Sequence, residues 1–404
     1  MNILLVHNYY KVAGGEDTVF ESEKSMLQKH GHKVFTYTKN NKELDELGPC
    51  KKLITGAFAD FSKKVYSEIT SLIEKEHIDI VHVHNTLTLI TPAVYYAAVD
   101  KNIPVVQTMH NFRLFCINAL LYRNDHVCED CIASETPAPG VKNRCYHDSM
   151  LQSAICARIL NRNRKKGIYH KISYICLTEF NKAKLIDGMK DNIDPEKIYI
   201  KPNFVPDRYK EIKSEPALAG KLIPELKDSD DPLGLKPYYL YAGRLDRSKG
   251  ILDLVKEWPE DSQYPLLICG DGPLKDELEG LTATSSNILI LGHRSHEEVL
   301  NLMFHAESLI FPSRWYETFG MVIAEAYMCG TPVISGNIGN GADLVRSVTP
   351  ELVTEIKKEH LLSLLTDTLK AKYSKQCRKH YIDNFTEERN YNILTSIYSS
   401  ISGY

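Results

Sequence analysis

The sequence has no long apolar stretch and no excess of charge of either sign. None of its windows approaches the roughly 20 consecutive apolar residues that a membrane-spanning helix needs. The formal net charge is −3, and there are only two tryptophans among 404 residues. Since nucleic-acid binding calls for clustered positive charge and aromatic platforms, the sequence predicts no nucleic-acid partner. Any anionic ligand must be held by local basic groups.

The first residues predict a strand and not a secretory leader. Met1-Asn2 leads directly into the apolar run Ile3–Val6, with no basic segment and no small-residue cleavage site before it. We therefore expect a cytoplasmic protein, either soluble or attached peripherally to the inner face of the cell membrane. The ten cysteines would suit disulfides in a small secreted domain. In a long chain without a leader they favour reduced thiols or a metal site.

Short β-branched runs alternate with helical patterns along most of the chain. The runs are nearly continuous in apolar residues, which is typical of strands buried on both faces of a parallel sheet. Helical stretches such as Thr18–His30, which ends at Gly31, supply the crossovers between them. The predicted strands are Asn2–His7, Lys33–Tyr37, Asp79–His84, Pro104–Met109, Ser173–Leu177, Lys197–Lys201, Tyr238–Ala242, Pro265–Cys269, Asn287–Leu291, Ser308–Phe311 and Pro332–Ser335.

These patterns predict an α/β fold with two doubly wound domains. The length allows two domains of roughly 200 residues each. The break between them falls in Val205–Lys236, which has several prolines and no sustained period. The predicted boundaries are 1–205 for the first domain, with an insertion over 112–148, and 206–380 for the second. A helical segment over 381–404 is predicted to pack back toward the first domain.

Two strand-end loops have features of phosphate binding, because open α/β sheets bind ligands at the carboxyl ends of their strands. Gly14-Gly15 follows the first strand and precedes a helix whose free amides suit an anion; a simple tight turn is the alternative. Gly243–Gly250 follows the first strand of the second domain. Its Arg244 and Lys249 offer charge-assisted hydrogen bonds to a diphosphate, and a solvated basic loop is the alternative.

The segment Phe311–Ile334 is the most informative part of the chain. Glu317 lies in a loop after a strand, Phe319-Gly320 then opens a helix, and Glu325 lies about two turns further on. A carboxylate accepts paired hydrogen bonds from vicinal hydroxyls such as those of ribose or a hexose. Because an unpaired buried carboxylate is costly, two acids near an anion-binding helix start indicate a site for sugar hydroxyls. Two surface glutamates on an amphipathic helix are the alternative.

Several of these segments together resemble a known family. GRLDRSKG with Arg244 and Lys249, the GDGP turn with Gly272, and ETFGMVIAE followed by CGTPVI are similar to the retaining glycosyltransferases of family 4, which have the GT-B fold. The resemblance extends over essentially the whole chain, from Gly14-Gly15 through KIYIKPNFV to FTEERNY. It implies two Rossmann-like domains facing each other across a cleft. The first would bind the acceptor and the second a nucleotide sugar.

The resemblance also implies roles for individual residues. Glu325 would hold the donor ribose and Glu317 the hydroxyls of the transferred sugar, while Arg244 and Lys249 would neutralise the diphosphate. His110, which follows a first-domain strand, would face the donor sugar; a capped structural histidine is the alternative. The catalytic residues so implied are His110, Glu317, Arg244 and Lys249. The donor-binding residues so implied are Gly14, Gly15, Gly243, Arg244, Lys249, Gly272, His293, Arg294, Glu317, Thr318, Phe319, Gly320 and Glu325.

The implied reaction moves a sugar from a nucleotide-diphosphate donor, with UDP favoured, to a glycan or lipid-diphosphate-linked acceptor. It retains the anomeric configuration, requires no cofactor for its chemistry, and belongs to bacterial surface polysaccharide synthesis. The turn Gly292–Arg294 would hold the nucleobase, and the amides of Phe319 and Gly320 would assist the diphosphate.

The sequence departs from the family at Asp343, near which many relatives carry a glutamate. Donor-sugar contacts from this loop are therefore left open. Two other functions remain as alternatives: a nucleotide-sugar 2-epimerase of the same fold, and a non-catalytic nucleotide-sugar-binding protein.

Four of the ten cysteines lie in the predicted insertion: Cys116, Cys128, Cys131 and Cys145. The middle two form a CxxC pair, with one cysteine 12 residues before it and one 14 residues after it. Four thiolates can close a tetrahedral structural zinc site, which the resemblance supports because similar insertions occur in polysaccharide-building relatives. Free thiols or a disulfide pair are the alternatives, and His126 and His147 are less favoured ligands.

Residues 155–173 contain six cations and no acid: Arg158, Arg162, Arg164, Lys165, Lys166 and Lys171. A basic helix with interleaved apolar residues suits contact with an anionic membrane surface or a lipid-diphosphate acceptor. A solvated helix face is the alternative. In the strand Asp79–His84, His82 and His84 alternate onto one face, and at least one of them is expected to be structural.

Overall fold

The protein is described here by a computed structural model. The described residues are 1–11, 14–46, 48, 56, 59–214, 221–223, 226 and 236–403. Parts of the predicted linker therefore lie outside the described residues, at 215–220, 224–225 and 227–235.

The chain divides into two compact units. The first consists of Met1–Arg123, Cys128–Asn203 and Asn390–Tyr404. The second consists of Asn124–Val127 and Phe204–Arg389.

The first unit contains a six-stranded parallel sheet, as the apolar runs predict. Its strands are β1 (Asn2–Tyr9), β2 (Lys33–Asn40), β3 (Ile80–Val83), β4 (Val105–Met109), β7 (Ser173–Cys176) and β8 (Ile198–Ile200). They lie in the order β2-β1-β3-β4-β7-β8, and every neighbouring pair is parallel. A two-stranded sheet, β5 (Tyr122–Arg123) and β6 (His126–Val127), lies within the insertion and was not expected from the sequence.

The second unit contains a five-stranded parallel sheet. Its strands are β9 (Tyr239–Ala242), β10 (Leu266–Cys269), β11 (Ile288–Gly292), β12 (Ser308–Phe311) and β13 (Val333–Ser335). They lie in the order β11-β10-β9-β12-β13. Leu240, Leu267 and Leu309 are fully buried, because helices cover both faces of such a sheet. These findings confirm the predicted fold class of two Rossmann-like α/β domains.

Helices connect the strands in both units. They are α1 (Gly15–Lys29), α2 (Lys63–Glu76), α3 (Ala93–Asp100), α4 (Asp130–Ala133), α5 (Ala138–Lys142), α6 (Met150–Lys165), α7 (Glu179–Met189), α8 (Tyr209–Lys213), α9 (Ile251–Glu257), α10 (Lys275–Thr282), α11 (His296–His305), α12 (Met321–Met328), α13 (Gly339–Arg346), α14 (Lys358–Leu364), α15 (Leu369–Asn384) and α16 (Glu387–Ser402). None of the helices in the described residues is both long and apolar enough to cross a bilayer.

The last helix, α16, belongs to the first unit from Asn390 onward. Its Tyr391 ring stacks on His30 at the end of α1, with 3.6 Å between ring centroids. Its Leu394 is fully buried. The end of the chain is therefore part of the core built by the start of the chain.

The strand order creates one switch point in each sheet. In the second unit the chain runs outward from β9 through β10 to β11, and then returns to the other side of β9 with β12. The loops after β9 and β12 therefore leave a crevice between them, where open α/β sheets bind their ligands. In the first unit β1 lies between β2 and β3 in the same way.

Candidate functional site

The loops after β9, β10 and β11 are joined to one another by backbone hydrogen bonds. Gly243 N donates to Cys269 O (3.0 Å), and Gly270 N donates to Gly292 O (2.9 Å). A Cβ atom on Gly270 would lie 1.9 Å from the carbonyl oxygen of Gly243, so only glycine allows this approach. Gly272, a predicted site residue, packs closely against the same loop. The loops after β9, β10 and β11 are therefore packed together at the carboxyl ends of their strands.

The loop after β12 lies directly against the loop after β9. Arg314 N donates to the carbonyl oxygen of Ser248 (2.9 Å). Gly250 has φ +72°, and a Cβ atom there would lie 1.9 Å from the carbonyl oxygen of Pro312. This contact brings Lys249, the residue before Gly250, to the side chains that follow β12.

Lys249 and Glu317, predicted from separate motifs, form a direct ion pair. Lys249 Nζ lies 2.6 Å from Glu317 Oε1. The same oxygen accepts hydrogen bonds from Trp315 Nε1 (2.6 Å) and Ser313 Oγ (3.2 Å). The ammonium group also lies 4.9 Å from the centre of the Trp315 ring, within the range of a cation–π contact. One cation and one carboxylate are thus held together at the switch point.

Glu325 extends from α12 and pairs with a histidine. His296 Nε2, at the start of α11, lies 2.9 Å from Glu325 Oε1. The Glu325 side chain is 17% exposed, whereas His296 is 61% exposed. The hydrogen bond to Glu325 raises the pKa of His296 above its usual value. Glu325, the residue predicted to bind the ribose, is therefore covered by His296, an exposed and titratable side chain.

The sequence predicts three further basic residues for the donor site of the second unit. Arg244 is two-thirds exposed, and its Nε lies 3.4 Å from Asp246 Oδ2. Arg294 is half-buried, and its Nε has no hydrogen-bond partner. His293 is exposed in the turn after β11. Arg244 and Lys249, the two cations of the predicted diphosphate clamp, thus each contact a carboxylate.

The segment Thr318–Gly320 leads from Glu317 into α12, as predicted. Gly320 has φ +91° and directly precedes the helix. The Phe319 ring is buried, and its carbonyl oxygen accepts a hydrogen bond from Asn340 Nδ2 (2.7 Å). The first amides of a helix carry partial positive charge. The start of α12 therefore places that charge beside the carboxylate site.

In the first unit, the predicted glycines border open space. Gly14 precedes α1 with an extended backbone (φ −135°), and a Cβ atom on Gly14 or Gly15 would meet nothing within 4 Å. His110 follows β4, and its Nε2 lies 2.9 Å from His84 Nδ1. Burial holds the pKa of His110 well below its usual value, so the imidazole is neutral at pH 7.

A further acid stands beside these glycines. Tyr10 OH and Asn111 Nδ2 donate to Glu16 Oε2, at 3.3 Å and 3.2 Å, while Glu16 Oε1 has no hydrogen-bond partner among the described residues. Loss of solvent raises the pKa of Glu16 to about 8, against the opposing charge of Arg113. Arg113 also lines a cavity of about 60 Å³ next to His110.

The four insertion cysteines line one small cavity of about 10 Å³. The Cys116 thiol donates a hydrogen bond to Asn118 Oδ1 (2.9 Å). All cysteines in the described part of the chain are free thiols. No three of the four sulfur atoms lie within 4.8 Å of one another. The residues thus converge as predicted, with a spacing wider than a closed zinc site requires.

The basic segment of α6 is partly neutralised within the fold. Arg158 and Arg162 both pair with the buried carboxylate of Asp60. Arg164 Nη2 donates to the carbonyl oxygens of Leu114 (3.0 Å) and Gly188 (3.2 Å). Three of the six cations counted in the sequence therefore stabilise the fold, which leaves less charge for a partner than the count indicates.

Trp315, His296 and Glu16 are not among the site residues predicted from the sequence. Trp315 lies two residues before Glu317 and is one of only two tryptophans in the sequence. Its position beside a candidate acid could have marked it as a site residue. His296 follows Ser295, which caps α11 together with Glu298; that capping motif was legible in the sequence. Glu16 directly follows the paired glycines. No local pattern indicates the partner of any of the three.

Two family models match the chain over nearly all of its length. Residues 13–208 match the model described as Glycosyltransferase Family 4. Residues 224–384 match the model described as Glycosyl transferases group 1. The first match contains every strand of the first sheet except β1, and the second contains all five strands of the second sheet.

Curated relatives match over shorter stretches. The glycogen synthase of Mycobacterium tuberculosis is 36% identical over 114 residues, which are 26% of this chain and 27% of that protein. The alpha-D-kanosaminyltransferase of Streptomyces kanamyceticus is 27% identical over 173 residues, 41% of this chain and 42% of that protein. The chain thus spans between about a quarter and a half of the length of these relatives.

Solved structures match over the whole chain. A glycosyltransferase from Rickettsia africae has a TM-score of 0.67 at 20% identity, covering 99% of this chain and 98% of that one. Anabaena HepE in complex with UDP has a TM-score of 0.64 at 16% identity, covering 99% and 100%. At these identities the likeness concerns the fold, which is that of GT-B glycosyltransferases.

Proposed function

We propose that this chain transfers a sugar from a nucleotide-diphosphate donor. The proposal starts from the two family matches, which make the chain a glycosyltransferase with a Family 4 domain and a group 1 domain. UDP is the favoured nucleotide, since a structural neighbour binds UDP and UDP-glucose. The observation that carries the proposal is the Lys249–Glu317 pair at the switch point of the second sheet. The pair brings a cation of the kind that suits a phosphate and a carboxylate of the kind that suits hydroxyl groups into one crevice, which supports the proposal.

In this proposal each charged group meets a different part of the donor. The Lys249 ammonium moves from Glu317 to the diphosphate, joined by Arg244, and the amides at the start of α12 add their partial charge. Glu317, released from Lys249, accepts hydrogen bonds from sugar hydroxyls. Glu325 accepts them from the ribose. The cations stabilise the charge that grows on the departing diphosphate, and this stabilisation is the catalytic contribution.

The proposal also covers the stereochemistry of the transfer and the nature of the acceptor. Transfer retains the anomeric configuration, and the acceptor is a glycan or a lipid-linked diphosphate of bacterial surface polysaccharide synthesis. Contact with an anionic membrane involves the exposed part of α6, where Met150 and Leu151 are more than half exposed and Lys165 adds charge. Co-sedimentation with anionic liposomes tests this contact; a protein that stays wholly in the supernatant contradicts it.

A panel of nucleotide sugars tests the donor. A donor at 100 times its Kd stabilises the folded state by about 2.7 kcal/mol, so the matching compound is expected to raise the melting temperature by several degrees. Incubation of that compound with candidate acceptors should then yield a glycoside. If the melting temperature rises and the donor is epimerised without transfer of its sugar, the protein is a 2-epimerase. A shift with no product indicates a binding protein, and no shift with any nucleotide sugar contradicts the proposal.

Donor affinity is expected to rise with pH. The Glu325 hydrogen bond raises the pKa of His296, so the pair is strongest below the usual histidine pKa and is lost as pH rises through the raised value. Protonated His296 competes with the ribose for Glu325. Because His296 is exposed, the effect is small: about two- to fivefold weaker donor binding at pH 6 than at pH 8.

Calorimetric titration of a UDP-sugar at the two pH values checks this expectation. His296→Ala should bind the donor equally at both. If the variant keeps the pH dependence of the unaltered protein, another group is responsible.

The proposal extends to a structural zinc ion held by the four insertion cysteines. Their cavity is about the size of a single water-sized sphere, and the thiols would have to move inward on binding. Elemental analysis is expected to find one zinc per chain, and Cys128→Ser with Cys131→Ser should abolish it. Cys269→Ser, in the core of the second unit, is the matched control and should retain the metal. If the protein contains no metal even when it is purified with added zinc, the proposal is contradicted.

A further inference from the structure

The first unit contains a cavity of about 60 Å³ at the carboxyl ends of β3 and β4. Its polar lining comes from the loops that follow these strands, Asn85-Thr86 after β3 and His110-Asn111 after β4. Its apolar lining includes Leu87 and Leu160 of α6. The cavity is several times larger than one water molecule needs, so it has room for a phosphate or a carboxylate group. It lies where open α/β sheets bind their ligands.

Arg113 is the one residue with a formal charge among the described residues that line this cavity. No aspartate, glutamate or lysine of the described part of the chain contributes to the lining. The two lining histidines, His84 and His110, are neutral at pH 7, because burial holds the pKa of each well below its usual value. The charge of the cavity wall is therefore positive.

The Arg113 side chain is half-buried and is held by few contacts. Its Nη1 donates a long hydrogen bond to Ile117 O (3.5 Å), its guanidinium lies 5.4 Å from the centre of the Tyr146 ring, and it also contacts Tyr10. Its Nε is shielded from solvent and has no hydrogen-bond partner among the described residues. A guanidinium has five N–H donors in a fixed fork, so these contacts leave at least the Nε donor for a ligand.

The guanidinium of Arg113 also lacks a charged partner at neutral pH. The titratable groups that act on it are one carboxyl, one thiol and two phenols: Glu16, Cys156, Tyr10 and Tyr146. Because loss of solvent raises the pKa of Glu16 to about 8, this carboxyl is mostly protonated at pH 7. Burial raises the pKa of Cys156 and of Tyr10 as well. Since a charge removed from water without a counter-charge is costly, an anionic ligand is favoured here.

We infer that Arg113 binds an anionic group, a phosphate or a carboxylate, on the acceptor of the transferase. The assignment to the acceptor rests on the proposed function, in which the second unit binds the anionic donor with Lys249. Phosphate and carboxylate both present paired oxygens that match the guanidinium fork. Because His110 lines the same cavity, the anchored part of the acceptor lies beside the histidine implied to face the donor sugar. A neutral glycan is then a poor acceptor.

Glu16 makes this anion site sensitive to pH. The groups that act on Glu16 are one cation, one amide, one acid and one phenol: Arg113, Asn111, Asp17 and Tyr10. While Glu16 is protonated, the charge of Arg113 is available to the ligand. As pH rises through the Glu16 pKa of about 8, the carboxyl ionises, neutralises Arg113 and repels the anion. Anion binding is therefore expected to weaken between pH 7 and pH 9, and Glu16→Gln should remove this dependence.

Selective ¹⁵N labelling of arginine tests the site directly. The Nε–H signal of Arg113, assigned from Arg113→Lys, is followed during titration with glucose 1-phosphate, methyl glucuronide and methyl glucoside. The first probe carries a phosphate, the second a carboxylate, and the third is neutral. The two anions are expected to shift the signal and the glucoside to leave it unchanged, and the tighter anion shows which group the site prefers. If neither anion shifts the signal, or the glucoside shifts it equally, the inference is overturned.

Arg113→Gln removes the charge and keeps the length of the side chain. Its KM for an anionic acceptor is expected to rise about ten- to hundredfold, the usual effect of losing a hydrogen bond to a charged group. The value of kcat should change little, because the ground state and the transition state lose the same contact. Arg113→Lys keeps the charge without the fork and should give an intermediate KM. Arg389→Gln, which alters an exposed arginine of α16, is the matched control and should behave as the unaltered protein does.

The donor-induced thermal shift reports whether the Arg113 variants are folded, since the proposed donor site lies in the second unit. A folded Arg113→Gln with an unchanged KM for the acceptor overturns the inference and makes Arg113 a structural residue. Absence of turnover in the unaltered protein would instead count against the proposed function. The titration of the Arg113 signal would then still decide whether the cavity binds an anion.

Discussion

Lys249→Ala is expected to abolish donor stabilisation and to lower kcat/KM by roughly 10²- to 10³-fold, the usual loss when one group that stabilises transition-state charge is removed. The ammonium group lies 2.6 Å from Glu317 and over the Trp315 ring. Its removal takes away a cation that is proposed to bind the diphosphate. It also leaves the negative charge of Glu317 without a counter-charge beside the incoming phosphate oxygens. Both changes weaken donor binding, and the first also weakens stabilisation of the leaving group.

The measurement is the thermal shift with the best donor, followed by steady-state kinetics. Lys256→Ala is the matched control, since Lys256 is an exposed lysine on α9, about one and a half turns from the start of that helix. It should behave as the unaltered protein does. A full donor shift in Lys249→Ala would contradict the assignment of the clamp.

Gly250→Ala is expected to cause a large loss of stability and, with it, a loss of donor binding. Gly250 adopts φ +72°, where a residue with a Cβ atom costs about 1–2 kcal/mol. The added Cβ atom would also lie 1.9 Å from the Pro312 carbonyl oxygen. Because that contact is with backbone, the loop after β9 must move away from the loop after β12. Lys249 moves with it, so donor binding is expected to fall together with stability.

Thermal unfolding with and without donor checks this expectation. A fall of more than about 5 °C in melting temperature corresponds to a few kcal/mol in a chain of this size. Gly280→Ala is the control: Gly280 lies on the exposed side of α10 with open space around it, so alanine should stabilise that helix by roughly 0.5–1 kcal/mol. Equal stability of the two variants would mean that the two loops are not packed as described.

The strands were predictable because burial on both faces of a parallel sheet demands continuous apolar runs. Their ends were less predictable. The first strand was expected to end at His7 and continues to Tyr9, because its pairing with β2 extends through the polar residues that follow. The β5–β6 pair was missed because each strand has only two residues and no hydrophobic period.

The identities of the site residues were legible, but their partners were not. Glycines, cations and acids at strand ends have a local signature, and Lys249, Glu317 and Glu325 lie where that signature placed them. The clamp of Arg244 with Lys249, in contrast, was inferred from closeness in sequence. In the structure Arg244 pairs with Asp246 and Lys249 pairs with Glu317, and the clamp itself stays a prediction.

The sequence by itself determined the α/β class, the two sheets and the loops that carry charged residues, since these depend on periodicity and residue type over short stretches. Only the tertiary structure decided which charges meet. Lys249 and Glu317 are 68 residues apart, and Glu23 and Lys201 are 178 residues apart. Their contact depends on the order of strands in each sheet. That order results from the packing of the whole chain, and no local pattern encodes it.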